Sequence, residues 1–167
     1  IQIVKDKKIK VHVVEAGQKV NIEKDICFHI LWPSSDDIIH ENNINNNSLV
    51  CKFQYKEFSI LFTGDIEEVS EEKILKKYIQ HTKLLQATVL KVPHHGSKSS
   101  STMNFLQAVS PKIALIGVGE NNTFGHPNQG VLERLKMLAT KTYRTDENGE
   151  ISIQVLSNGV IKIQKQV

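Results

Sequence analysis

Apolar and polar positions along this chain predict strands separated by a few helices. Residues 10–14 (KVHVV) alternate, and residues 26–32 (ICFHILW) form an apolar run that Pro33 stops. The polar stretch SSDDIIHENNINNN reads as an exposed loop, which Asn46, Asn47 and Ser48 bring to its end. SLVCKFQY and FSILFTGD then form a hairpin around the Tyr55–Glu57 turn. Across residues 67–80, Val69, Ile74, Leu75 and Tyr78 recur at helical spacing, with acids near the start where the helix dipole favours them. ATVLKVP and KIALIGVG are nearly continuous apolar runs, as strands buried on both faces require. SSTMNFLQAVS and NQGVLERLKML read as helices, TYRT as a short strand, and the chain closes with two strands joined by Ser-Asn-Gly. The alternation predicts an α/β layered fold, one domain over residues 1–167, with no internal repeat.

Composition narrows the class. A chain of 167 residues with 40% apolar and 23% charged residues can bury a core, which excludes a disordered protein. Lys plus Arg is 21 against 18 for Asp plus Glu, and a net charge of +3 falls short of a dedicated nucleic-acid arm. No apolar run approaches the roughly 18 residues of a membrane span. The opening IQIVKDKKIKVHVV lacks the pattern of a signal peptide, and Ile1 in place of Met reads as the start of a piece of something longer. Cys27 and Cys51 lie in apolar or alternating stretches and read as buried thiols.

Polar residues with chemical potential follow the apolar strands. Asp65 follows FSILFTG, His94 and His95 follow VLKVP, His126 comes a few residues after IALIGVG, and Asp146 follows TYRT. Ligands of open α/β sheets sit outside strand ends, so these residues are candidates for one site. Asp65 reads either as a turn former or as a carboxylate bridging two cations. On an extended chain, adjacent histidines point opposite ways, so one of His94 and His95 is expected to reach a metal and the other to orient or act as an acid. Ser97 lacks the glycine pattern of a nucleophile elbow. His12, His29, His40 and His81 have no partners in sequence and read as strand, loop or helix-surface residues. A dinuclear centre needs about six ligands. Asp65, His126 and one of the histidine pair supply only part of that set.

NNNSLV, FSILFTGDIE, TVLKVPHHGSKSSS, PKIALIGVGENNTFGHP and YRTDENGEISI, in that order, resemble the metallo-β-lactamase-like domain of ComEC-type competence proteins. The resemblance runs over about residues 8–155. It implies an αβ/βα sandwich of four layers with metals held between the edges of two sheets. This chain would hold mostly the C-terminal part, because the family's His- and Asp-rich metal cluster belongs to an N-terminal half not found here. By resemblance Asp65 bridges the metals, Mn²⁺ or Zn²⁺, and His126 ligates them or lies beside the ligands. His94 and His95 line the site as ligand or catalytic group, with His94 favoured. Lys91, Ser97 and Lys98 are the candidate substrate-binding residues.

The function implied is that of a domain of a DNA-uptake channel protein, a metal-dependent nuclease degrading the strand that is not imported. Its partners would be single-stranded DNA and the membrane channel part of the same polypeptide, with no lipid binding by this segment. The parent would sit in the cell membrane with this domain facing outward. The isolated chain is expected to be inactive, and an exposed sheet edge could pair two copies. Two alternatives stand beside this reading: a metallo-hydrolase of a small phosphodiester, and a non-catalytic module that guides DNA to the channel.

Overall fold

The computed structural model describes residues 2–166. A seven-stranded sheet runs in strict chain order through β1 (Lys19–Glu23), β2 (Ile26–Trp32), β3 (Val50–Tyr55), β4 (Phe58–Phe62), β5 (Val89–Lys91), β6 (Ile113–Ile116) and β7 (Lys141–Arg144). The first four strands pair antiparallel and the last four pair parallel. Three helices make the parallel crossovers: α1 (Glu68–Lys77), α2 (Met103–Val109) and α3 (Gln129–Met137). Strand order advances steadily in one direction, so crossovers of one hand place all three helices on the same face. Their apolar sides, Ile74 and Tyr78, Phe105 and Leu106, and Val131 and Leu135, join Trp32, Leu61 and Leu90 in one core. Burying each large side chain contributes about 1.5–3 kcal/mol.

The opposite face is closed by a hairpin of β8 (Glu150–Val155) and β9 (Ile161–Gln166). Its inward residues Ile151, Ile153, Ile161 and Ile163 pack on Phe58, Val89, Ile113 and Tyr143. Among the described residues the layers therefore number three: helices, large sheet, small sheet. This is one αβ half of the expected four-layered sandwich with two strands of the next sheet laid against it.

The structure corrects several local readings. KVHVV forms no strand, because no sheet edge receives it, and Val11 and Val13 stay exposed. The edge strand is β1, whose nearly unbroken exposure hides it from pattern reading. The stretch at 34–47 contains a 3₁₀ turn at Ser35–Asp37 and a single helical turn at Asn43–Asn46. On α1 the inward residues are Ser70, Glu71 and Ile74, while Val69 faces solvent. Cys27 and Cys51 are buried free thiols, as expected.

Candidate functional site

Parallel strands β4 to β7 present their carboxyl ends along one edge, and the loops leaving them carry the candidate residues. Thr63-Gly64-Asp65 follows β4. Gly64, at φ +54°, lies so close to Ser48 that a Cβ there would stand 2.5 Å from the Ser48 Cβ. The Ser48 hydroxyl accepts the Asp65 N–H at 3.2 Å, which sets the start of this turn.

The loop after β5 carries the histidines. His94 (φ 46°, ψ 44°) and His95 (φ 55°, ψ 21°) both adopt the left-handed conformation. Such a pair of non-glycine residues is strained by about 1–3 kcal/mol each and persists only where the surroundings impose it. Here the His94 N–H donates to the Gly64 carbonyl at 3.1 Å and the Ser97 N–H to the His94 carbonyl at 2.8 Å. The Ser100 hydroxyl reaches the Pro93 and Ser97 carbonyls. Gly96 packs so tightly on the loop after β6 that a Cβ would meet that of Pro127 at 2.7 Å, and the Asn128 N–H bonds the Gly96 carbonyl. The expectation that neighbouring rings point apart rested on an extended backbone. In the left-handed turn both rings face the same edge, with centroids 6.4 Å apart, and His126 joins them at 5.8 Å from His94.

His95 Nδ1 lies 2.6 Å from the Gly117 carbonyl, which can only accept, so this nitrogen carries the proton. Nε2 of the neutral ring is then a lone pair, and it faces Asp65 Oδ1 at 3.6 Å. Two acceptors at this separation repel unless a proton or a cation lies between them. A histidine whose far nitrogen donates to a backbone carbonyl is the usual arrangement of a metal ligand.

Glu67 is a participant that sequence reading missed. Its carboxylate accepts from Asn42 Nδ2 (2.9 Å), Ser99 Oγ (2.9 Å) and Asn46 Nδ2 (3.4 Å). Burial pushes its pKa upward, but the bonds from Asn42 and Ser99, the neighbouring His94 and Asn46 together hold it below the ordinary value. His94 Nδ1 stands 3.4 Å from Glu67 Oε1 without hydrogen-bond alignment, and it is the one buried side-chain polar atom without a hydrogen bond among the described residues. Asn46, read from sequence as a loop end, is 1% exposed and holds Glu67 in place: its side-chain oxygen accepts the Glu67 N–H and the Ser70 hydroxyl, and its carbonyl accepts Trp32 Nε1.

The remaining candidates take different positions. Lys91 ends β5, its ammonium bonded to the Val92 carbonyl at 2.9 Å; burial lowers its pKa, and the nearby Asp65 opposes that shift. The pKa of His126 is lowered by burial first and then by His94 and His95. Its backbone is clasped by Asn122, and Phe124 stacks on its ring at 5.9 Å. Ser97 is buried with its hydroxyl 3.0 Å from that of Ser99, whereas Lys98 is exposed. Asp146 is held by the Arg144 guanidinium through both oxygens. Among the described residues no group of three or more His, Cys, Asp or Glu side chains is arranged to hold a metal ion. Asp65 and His95 suit two positions around a cation, and the dinuclear centre implied by resemblance does not fit this chain's residues alone.

No protein-family model matches the chain. A solved structure of a candidate metal-dependent hydrolase from Parabacteroides distasonis superposes with a TM-score of 0.54 at 12% identity, over 87% of this chain and 62% of that one. The layering is that of the metallo-β-lactamase-like α/β fold. The chain is 36% identical over 151 residues to ComE operon protein 3 of Bacillus subtilis, covering 90% of this chain and 18% of that protein. It is 34% identical over 140 residues to competence protein ComA of Neisseria gonorrhoeae, covering 84% of this chain and 19% of that protein. It thus belongs to the ComEC family of competence proteins, and spans under a fifth of the length of these relatives. No helix among the described residues is long and apolar enough to cross a membrane.

Proposed function

We propose that this chain handles phosphodiesters within a DNA-uptake protein, as part of a metal-dependent nuclease that degrades the strand not imported. Support comes from one observation above the others: His95 Nε2 and the Asp65 carboxylate face each other at 3.6 Å. Asp65 and His95 would hold a divalent cation, Mn²⁺ or Zn²⁺, with the rest of its shell supplied by water and by groups outside this chain. Such a cation supplies Lewis acidity toward a phosphoryl oxygen. The chain's own residues do the rest: Gly117 fixes the His95 ring, Glu67 sits against the His94 ring, and Lys91 and Lys98 add positive charge near the edge. In the whole protein, this segment would face outward from a membrane-embedded channel that carries the surviving single strand. Pairing of two copies through the exposed β1 edge belongs to the same proposal.

The test is cleavage of labelled single-stranded DNA by the whole competence protein with Mn²⁺, beside its Asp65→Ala counterpart and this 167-residue chain. Cleavage by the unaltered whole protein alone supports the reading. Absence of cleavage and of metal in all three would overturn it. The second reading, a non-catalytic module guiding DNA, draws on the absence of a three-ligand group among the described residues. Metal-free binding of single strands that is unchanged by Asp65→Ala would favour it.

A further inference from the structure

Three adjacent strands carry basic residues in register. Lys19 of β1 stands opposite His29 of β2, and His29 opposite Lys52 of β3. Like charges directly across a sheet repel. Lysine on an edge strand is a common guard against unwanted pairing, which accounts for Lys19. It does not account for Lys52, on an interior strand and only 9% exposed. The Lys52 ammonium spends one of its three donors on the Lys83 carbonyl at 3.2 Å.

In front of Lys52 opens a cleft of about 600 Å³, at the starting ends of β5 and β6 and so away from the Asp65–His95 edge. Ser59, Lys83, Thr88 and Lys112 line it together with His29, and Glu57 is the one acid of the lining. Two hydroxyls there have their donors free. Ser59 Oγ accepts the Thr88 N–H at 3.2 Å, and Thr88 Oγ1 accepts the Ser59 N–H at 3.4 Å. Each oxygen is thereby used as an acceptor, and neither O–H has a partner among the described residues. None of Lys19, Lys52, Lys83 and Lys112 forms an ion pair among the described residues. A smaller depression holding Lys19 and Lys56, with Glu23 and Asp25, shares His29 and Gln54 with the cleft. From Lys19 to Lys112 the row crosses five strand spacings, about 24 Å at ~4.8 Å each.

We propose that this furrow is an anion site separate from the Asp65–His95 edge, which seats an extended phosphodiester strand. One phosphate group lies against Lys52, Ser59 and Thr88, and its neighbours lie against Lys83, Lys112 and Lys19. The length exceeds what one phosphate needs, and a recessed ammonium cannot be reached by a flat bilayer. Neither Asp65 nor any histidine of the strand-end edge takes part. The inference therefore goes beyond the proposed function and stands or falls separately from it.

The experiment is binding of a labelled single-stranded oligonucleotide to this chain in EDTA, over a range of salt. The Lys83→Gln/Lys112→Gln variant removes two exposed charges of the furrow without touching the core, and Lys52→Met removes the recessed one. Lys136→Gln/Lys162→Gln removes the same charge from exposed positions elsewhere. The furrow variants are expected to bind about tenfold more weakly than the control. The salt slope of the double variant should fall by about 1.4, since two phosphates are no longer neutralised. Equal weakening in furrow and control variants would overturn the proposal. So would inorganic phosphate that binds at the furrow but is not displaced by the oligonucleotide, or anionic vesicles that need these lysines while the oligonucleotide does not.

Discussion

His95 and Asp65 come from loops after neighbouring parallel strands, and they meet with His95 Nε2 facing a carboxylate oxygen 3.6 Å away. The Gly117 carbonyl fixes the ring by accepting a hydrogen bond from Nδ1–H at 2.6 Å, which turns Nε2 toward Asp65. A cation relieves the opposition of two acceptors, so Zn²⁺ or Mn²⁺ is expected to stabilise the chain. At a hundredfold excess over the dissociation constant the gain is about 2.7 kcal/mol. Thermal melts with and without metal check this. Asp65→Asn should abolish the gain while leaving the metal-free melt nearly unchanged, because the Asp65 side chain makes no hydrogen bond among the described residues.

Gly96 has φ +80°, and a Cβ added there would stand 2.7 Å from the Pro127 Cβ. Gly96→Ala should therefore destabilise by about 1–3 kcal/mol and part the two loops that bring His94 and His126 together. Urea unfolding measures the cost, and weaker ring-to-ring cross-peaks between these histidines in NMR spectra report the separation.

Asn46→Ala removes the acceptor of the Glu67 N–H and the Ser70 hydroxyl and a donor to Glu67. The Ser70 hydroxyl keeps the Asn46 main-chain carbonyl at 2.8 Å, so the Glu67 N–H is the donor left unpaired, which should cost about 1–3 kcal/mol. Asn46→Asp keeps the acceptor but sets a second carboxylate beside Glu67, and it too should destabilise near neutral pH. Denaturant midpoints of the two variants, compared at pH 7 and pH 5, separate the lost bond from the added repulsion.

His29 has a lowered pKa, chiefly through burial and then through Lys19 and Lys52. A base whose pKa is lower folded than unfolded binds fewer protons when folded, so stability falls as pH drops below the unfolded value of about 6.5. His29→Gln should flatten that part of the profile, and Lys19→Gln should flatten it partly. Unfolding midpoints between pH 7.5 and 5.5 provide the check. Polyphosphate in the furrow should offset the loss, because it screens the same lysines.

The element order from β2 onward was legible because those strands and helices carry their own period, whereas β1 does not. FSILF, VLK and IALI are apolar on both faces because helices cover one side of their sheet and the β8–β9 hairpin the other. The site edge was legible as well, since residues past parallel strands share one end of the sheet whatever the packing. Glu71 shows the limit of such reading. It lies on the inward side of α1, fully buried, and accepts the Ser101 and Thr102 N–H groups and the Thr102 hydroxyl. Burial raises its pKa even against those bonds. Its signal, an acid one turn before Ile74 on the buried stripe, is indistinguishable in sequence from the acids that favour a helix start.

What the sequence determined by itself is the local part: which segments after β1 form strands, where they stop, and which reactive residues follow them. Those features depend on side-chain period and on turn chemistry within a few residues. The tertiary structure decided the pairing of His95 with Asp65, the left-handed turn that aims both histidines one way, the role of Asn46 beneath Glu67, and the row Lys19–His29–Lys52. Each depends on register between strands or on contact between loops far apart in the chain. Register across a sheet is set by the whole core at once, and no local period encodes it.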